Sequence, residues 1–350
     1  MLEYFKYNRR RFLGSIALTV AAAQLGVWGS ADATTTSPEI KDAPKVKKVS
    51  GKPFETIKQI KAGVLNVGYA EAGPANGQVV LLIHGWPYDI HSFSEVVPIL
   101  VAKGYRVIMP YLRGYGTTRF LSDKTVRNGQ QSVIAEDMIA FMDALKIDKA
   151  ILGGFDWGAR TAVIMAALWP ERCKALVSVS GYLVVNLEAN QTPLMPAAEY
   201  GWWYQYYFAT DRGVAGYTAN TNDFNKLIWK IASPKWDFDD ATYGRTATSF
   251  DNPDHVAIVI HNYRWRLMLA EGESKYDHLE KRLAERPDIT VPTITIASDF
   301  DGTAADGKAY ANKFKGKYSH KILNGIGHNV PQEDPESFAA AIIEVDSYTK

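Results

Sequence analysis

Residues Gly154-Phe155-Asp156-Trp157-Gly158 place an aspartate at the centre of a Gly-x-acid-x-Gly turn. The apolar run 149–155 before it reads as a buried strand, and 158–169 as a helix. A turn of this kind is a nucleophile elbow, which holds one side chain out over a sheet. Its glycines answer to close approach of the helix and the neighbouring strands. A serine there would suit attack on an ester. A carboxylate attacking an ester carbonyl would give an anhydride, an uphill product. A carboxylate displacing a leaving group from saturated carbon gives an ordinary ester, which water can cleave. Asp156 therefore points to opening of an epoxide or cleavage of a carbon–halogen bond by covalent catalysis.

Three further pieces follow in chain order. His84-Gly85-Trp86-Pro87 closes an early strand, where a loop can lend a backbone N–H to an oxyanion hole. The residue after the nucleophile lends the other, so the expected pair is the amides of Trp86 and Trp157. The His84 side chain is expected to support the loop. The late strand 290–297 runs into Ser298-Asp299-Phe300-Asp301-Gly302, and either Asp299 or Asp301 could orient a base by position. Gly325-Ile326-Gly327-His328-Asn329 follows the last strand, so His328 lies between turn residues. An ordinary aspartate, with a pKa of about 3.9, is already ionised at neutral pH and needs no base to attack. His328 would instead activate the water that cleaves the enzyme ester.

These groups need a sheet with helices on both faces. Strand-like runs cover 55–62, 64–72, 79–84, 105–110, 150–155, 175–180, 290–297 and 320–323. Helix-like runs cover 93–103, 133–145, 158–169, 307–314 and 335–348. The alternation implies an α/β fold with a mostly parallel eight-stranded sheet and an antiparallel start. It stops over 182–288, a stretch rich in Trp and Tyr. That stretch is expected to be a mainly helical cap inserted after strand 6, above the carboxyl ends of the sheet where ligands bind. The core is then 54–181 together with 289–350.

The 350 residues carry a formal net charge of +1, which offers nothing to nucleic acid. Asn8-Arg9-Arg10-Arg11-Phe12-Leu13 is a twin-arginine pattern, the apolar run 16–28 is short for a membrane span, and Ala31-Asp32-Ala33 fits a cleavage site. Residues 1–33 are thus expected to be an export signal and 34–53 a linker, giving a periplasmic or secreted protein without stable membrane association after cleavage. Cys173 is the single cysteine and reads as a buried structural thiol. No metal-ligand spacing or dinucleotide glycine loop stands in a suitable context, so no metal and no cofactor are expected. The expected partners are a small apolar or aromatic substrate and water, with the chain a monomer or homodimer.

Together these pieces resemble the α/β-hydrolase superfamily, and within it the epoxide hydrolases, over most of the chain after about residue 55. The motifs that carry the resemblance are His84-Gly85-Trp86-Pro87, Pro110-Tyr111-Leu112-Arg113-Gly114-Tyr115-Gly116, Asp156-Trp157-Gly158 and Gly327-His328. The resemblance implies two lid tyrosines that hydrogen-bond the epoxide oxygen. Tyr204-Gln205-Tyr206-Tyr207-Phe208 matches one tyrosine motif, implying Tyr204, with Tyr206 and Tyr207 as competitors. Asn262-Tyr263-Arg264 matches the other, implying Tyr263. A phenol is a neutral donor that can protonate a developing alkoxide. The late-strand alignment favours Asp301 over Asp299. Trp86, Trp157, Trp203 and Tyr206 are the expected substrate-facing aromatics. Phe155 and Tyr111 depart from the family pattern, which often has histidine and aspartate there.

The nearest rival is a haloalkane or haloacid dehalogenase with the same Asp nucleophile. Such enzymes resemble this chain in fold, and Trp157 could hold a leaving halide. Those acting on haloacids use arginines near the nucleophile, for which Arg160 is the close candidate. A more distant alternative is a non-catalytic ligand-binding protein on the same scaffold.

Overall fold

Strand β1 (Lys58–Ala62) turns back onto β2 (Leu65–Ala72) as an antiparallel pair. The computed structural model describes Phe54 and residues 56–349; the expected export signal and most of the linker lie outside the described residues. The sheet continues with β3 (Val79–Ile83), β4 (Arg106–Pro110), β6 (Ala150–Gly154), β7 (Cys173–Val179), β8 (Thr293–Ser298) and β9 (Tyr318–Leu323). A two-residue strand, β5 (Arg119–Phe120), pairs with β2 and makes the sheet nine-stranded rather than eight. The spatial order is β1-β2-β4-β3-β6-β7-β8-β9, parallel from β4 onward. The chain reverses its direction of travel between β3 and β6. The loops after those two strands therefore meet in the crevice where α/β sheets bind ligands.

Helices α1 (Val96–Ala102), α2 (Gln131–Ala144) and α3 (Trp157–Leu168) connect the first strands. A Cβ on Gly153 would meet Ile342 and Phe338, whereas one on Gly154 would meet the Gly158 backbone. Adjacent strand residues point to opposite faces. The C-terminal helix that carries Phe338 and Ile342 thus covers one face and α3 the other. The run over 307–314 is not the expected α-helix. Gly307 takes φ +66° and only a 3-10 turn, Ala311–Lys313, forms there.

Between β7 and β8 the chain is helical, with no strand. The first α-helix there is α4 (Pro196–Gly201). The remaining helices of this stretch are α5 (Tyr204–Ala209), α6 (Asp211–Ala219), α7 (Thr221–Ala232), α8 (Asp240–Ala247), α9 (His255–Arg266) and α10 (Asp277–Ala284). After β9 come α11 (Val330–Glu333) and α12 (Pro335–Ser347).

A buried carboxylate ties the helical stretch to the sheet. Asp89, after β3, accepts hydrogen bonds from the His91 N–H (2.9 Å) and from Thr246 Oγ1 (2.8 Å), and one from Ser249 Oγ. A buried charge needs such saturation, because leaving one donor or acceptor bare costs about 1–3 kcal/mol. Arg113 and Asp137 make a second buried pair, with bonds of 2.6 and 2.8 Å, that fixes the loop after β4.

Candidate active site

Asp156 sits between β6 and α3 at φ 52°, ψ −126°, a conformation strained for any residue with a side chain. A strain of about 1–3 kcal/mol is held there by tight packing. A Cβ at Gly158 would come within 1.8 Å of the Ile83 carbonyl oxygen, so only glycine lets α3 start this close to β3. The result aims the Asp156 carboxylate across the loop after β3. There the Trp86 N–H donates to Asp156 Oδ1 over 2.8 Å. Burial pushes the Asp156 pKa up. Bonding to and the charge of His328, the charge of Arg160 and the Trp157 N–H outweigh it, so the net shift is below 3.8.

His84 is fully buried beneath this loop. Its Nε2 accepts from the Leu112 N–H (3.2 Å), and burial pushes its pKa down to about 4. It is a neutral strut between the loops after β3 and β4.

His328 reaches Asp156 from the loop after β9, with Nε2 3.4 Å from Oδ2. Tyr88 stacks on the imidazole at 5.5 Å and the Phe300 ring meets it edge-on at 4.3 Å. Phe155, where the family often has histidine, packs against it at 6.1 Å. The loop itself is held by Glu333, which accepts from the N–H groups of Gly327 (2.7 Å) and Asn329 (3.0 Å) and from Ser233 Oγ (2.6 Å). Ser233 in turn accepts from the His328 N–H at 2.9 Å. Sequence reasoning missed Glu333, Ser233 and Tyr88. The only signal was an acid five residues beyond the histidine.

The expected orienting acid behaves differently from the expectation. Asp301 Oδ2 accepts from the Ser298 N–H at 2.8 Å, and its carboxylate also bonds Ser180. His328 Nδ1 is buried with no hydrogen-bond partner. Asp301 is near enough to feel the His328 charge, yet burial dominates and raises its pKa. Asp299 points away, bonded to Lys235 (2.6 Å) and to the Gly325 N–H (3.1 Å).

The helical stretch delivers the aromatic wall. Tyr204 from α5 and Tyr263 from α9 lie edge-to-face at 5.3 Å and share a side-chain hydrogen bond. Both contact Trp86, at 5.1 and 5.2 Å, and Tyr263 also meets Trp157 at 6.0 Å. Burial, followed by neighbouring negative groups that include Asp156, pushes both phenols well above 10.0. They are therefore protonated donors at neutral pH. Tyr206 does not join them: it is 46% exposed. Tyr204 and Phe208 are four residues apart on one helix face, and Tyr206 falls on the other. Tyr207 stacks on Phe224, and Trp203 packs against Tyr207, Phe224 and Tyr204. The Trp86 indole N–H donates to Tyr217 Oη at 2.9 Å, while that of Trp157 is buried without an acceptor.

An aspartate elbow, a histidine loop and a backbone amide meeting at a sheet crevice make the arrangement of an α/β hydrolase. The family description "alpha/beta hydrolase fold" matches residues 78–215. A crystal structure from Klebsiella pneumoniae subsp. pneumoniae, of a protein provisionally described as an epoxide hydrolase, is 58% identical with a TM-score of 0.82, over 84% of this chain and 98% of that one. Epoxide hydrolase B of Mycobacterium tuberculosis is 30% identical over 39% of this chain and 42% of its own. This match spans about two fifths of that curated relative's length. A haloalkane dehalogenase of Psychrobacter cryohalolentis is 25% identical over 80% of this chain and 87% of its own. The chain belongs to the α/β-hydrolase superfamily, as an enzyme of its epoxide hydrolase-like branch.

Proposed function

We propose that the enzyme opens an epoxide to a vicinal diol through an ester on Asp156. Asp156 Oδ2 attacks a ring carbon and the carbon–oxygen bond breaks. The electron pair stays on the ring oxygen, which takes a proton from Tyr204 or Tyr263. His328 then removes a proton from water as its oxygen adds to the ester carbonyl carbon. The N–H groups of Trp86 and Trp157 hold the negative charge that forms on Oδ1. Collapse expels the second alkoxide, which His328 reprotonates, and the proton left on Asp156 returns to the tyrosinate. The observation that carries this reading is the pair of buried, mutually hydrogen-bonded phenols, both near enough to Asp156 for its charge to help raise their pKa. Halide needs a donor but no proton, whereas an alkoxide leaving group needs one.

The decisive experiment is intact-protein mass spectrometry of a His328→Gln variant with styrene oxide and, separately, a 1-bromoalkane. An adduct equal to the whole epoxide, mapped to Asp156, supports the proposal. An adduct equal to the alkyl group with bromide released supports haloalkane chemistry, the second reading, which the bare Trp157 indole N–H favours.

Export through residues 1–33 is proposed on the twin-arginine pattern alone. Lysine at Arg9 and Arg10 should hold the protein in the cytoplasmic fraction.

A further inference from the structure

Two buried arginines lie among the residues around the nucleophile: Arg160 acts on Asp156, and Arg266 acts on Arg160 and on both tyrosines. Arg160 stands one turn into α3 from Asp156 and is more than nine-tenths buried. Its Nε donates to the Leu183 carbonyl at 3.1 Å. Arg266, in the last turn of α9, is as deeply buried. Its guanidinium lies over the rings of Tyr263 (5.5 Å) and Trp202 (5.6 Å), and its Nε has no hydrogen-bond partner. Among the described residues neither guanidinium is in an ion pair with a carboxylate. Burial, followed by repulsion from Arg266, lowers the Arg160 pKa to about 10, with Asp156, Tyr263 and Tyr204 opposing. At about 10, Arg160 remains charged at neutral pH. Both arginines also act on Tyr204 and Tyr263.

Unpaired buried charges are expensive, and two of like sign more so. Asp156 offsets one. The fork of Arg266 is left with donors and no acceptor, and a guanidinium fork matches a carboxylate in shape and charge. Trp202 and Tyr263 support that fork, and Tyr263 also packs on Trp157, the residue after the nucleophile. Trp202 meets Tyr204 at 6.3 Å.

We propose that Arg266 and Arg160 form a carboxylate subsite, so that the preferred epoxide carries an ionised acid group close to its ring. This rests on the epoxide-opening reading and names its substrate class. The substrate is then an aryl or alkyl 2,3-epoxy acid, its carboxylate on the arginines and its ring oxygen on the tyrosines. With Asp156 ionised beside Arg160, a substrate carboxylate would supply the counter-charge that Arg266 lacks.

The test compares 3-phenylglycidate with 3-phenylglycidamide, which keeps the ring and loses the charge. The wild-type enzyme should favour the acid by about 10- to 100-fold in kcat/KM, the worth of a charged hydrogen-bonded pair. Arg266→Gln and Arg160→Gln should drive that ratio toward one, and Arg266→Lys should keep part of it. A wild-type ratio of one or below overturns the subsite while epoxide opening stands. An unchanged ratio in folded glutamine variants, checked by circular dichroism, also overturns it. If neither compound is opened and His328→Gln captures no ester from either, the epoxide reading fails and the subsite with it. The wild-type ratio decides even if a variant does not fold.

Discussion

The Trp86 backbone N–H donates to Asp156 Oδ1 at 2.8 Å, while Oδ2 faces His328 Nε2 at 3.4 Å. The two carboxylate oxygens are thereby distinguished before any substrate arrives. On the proposed mechanism Oδ1 already occupies the oxyanion hole and Oδ2 is the oxygen left to attack. A single turnover in ¹⁸O-water with enzyme in excess should put label on the Asp156 peptide and none in the diol. Label in the first-formed diol would mean direct attack by water. Asp156→Ala should lose at least about 10⁴-fold in turnover, since in the proposed mechanism this residue forms the bond.

The donors set the pH behaviour of the first step. Tyr204 and Tyr263 are pushed above 10.0, first by burial, and Asp156 lies below 3.8. Raised phenols stay protonated as pH climbs, and a depressed carboxylate stays ionised as pH falls. Single-turnover ester formation should therefore be flat from about pH 5 to about 10. A fall in rate between pH 8 and 9 would show that the proton comes from elsewhere. Tyr204→Phe and Tyr263→Phe should each slow this step about 10- to 100-fold. The double variant should lose about 10²- to 10⁴-fold, the span of general-acid catalysis.

The third member of the triad is tested by separating the two steps. Asp301 feels the His328 charge but is bonded to Ser298 and Ser180, leaving Nδ1 bare. If Asp301 orients the base once the imidazole protonates, Asp301→Ala should slow ester hydrolysis by about 10²-fold or more and leave ester formation nearly intact. Asp299→Ala, which cuts only the Lys235 and Gly325 contacts, should change either step less than about threefold. Rapid-quench measurement of the ester separates the outcomes. Equal effects from the two variants would remove Asp301 from the mechanism.

The legible parts of this site were those fixed by local backbone. The elbow shows in sequence because a strained turn between close-packed elements demands Gly154 and Gly158 around Asp156. His328 shows because turn residues flank it after a strand. The sheet shows because β-rich runs alternate with helical ones. Asp301 and Asp299 could be placed after β8, but the carboxylate's partners depend on Ser180, 121 residues earlier in the chain. Tyr206 was misjudged because a run of five aromatic or polar residues hides its helical phase. The burial of Arg266 was invisible in the sequence, since an arginine ending a helix normally serves the dipole and solvent. Its burial shows only in the fold, where its guanidinium lies over Trp202 and Tyr263. The 307–314 segment was misjudged because its composition suits a helix, whereas Gly307 starts it in a left-handed turn.

Acid should destabilise the fold through two buried histidines far from any titrating role in catalysis. His84 and His255 are fully buried, and burial above all lowers their pKa values to about 4 and about 3. His255 Nδ1 meets the Gly114 carbonyl and Nε2 the Tyr217 hydroxyl, both at 3.0 Å, which suits a neutral ring. The unfolded chain takes up these protons near 6.5, and the folded chain resists them. Stability is therefore complete above 6.5 and falls as pH drops toward 4 for His84 and toward 3 for His255. At pH 5 the loss is roughly 2 kcal/mol for each ring. Urea unfolding of the wild type and of His255→Gln at pH 7.5 and 5 measures it. The variant should be less stable at pH 7.5, yet its gap between the two pH values should be roughly 2 kcal/mol smaller. An unchanged gap would show that His255 takes its proton without unfolding cost.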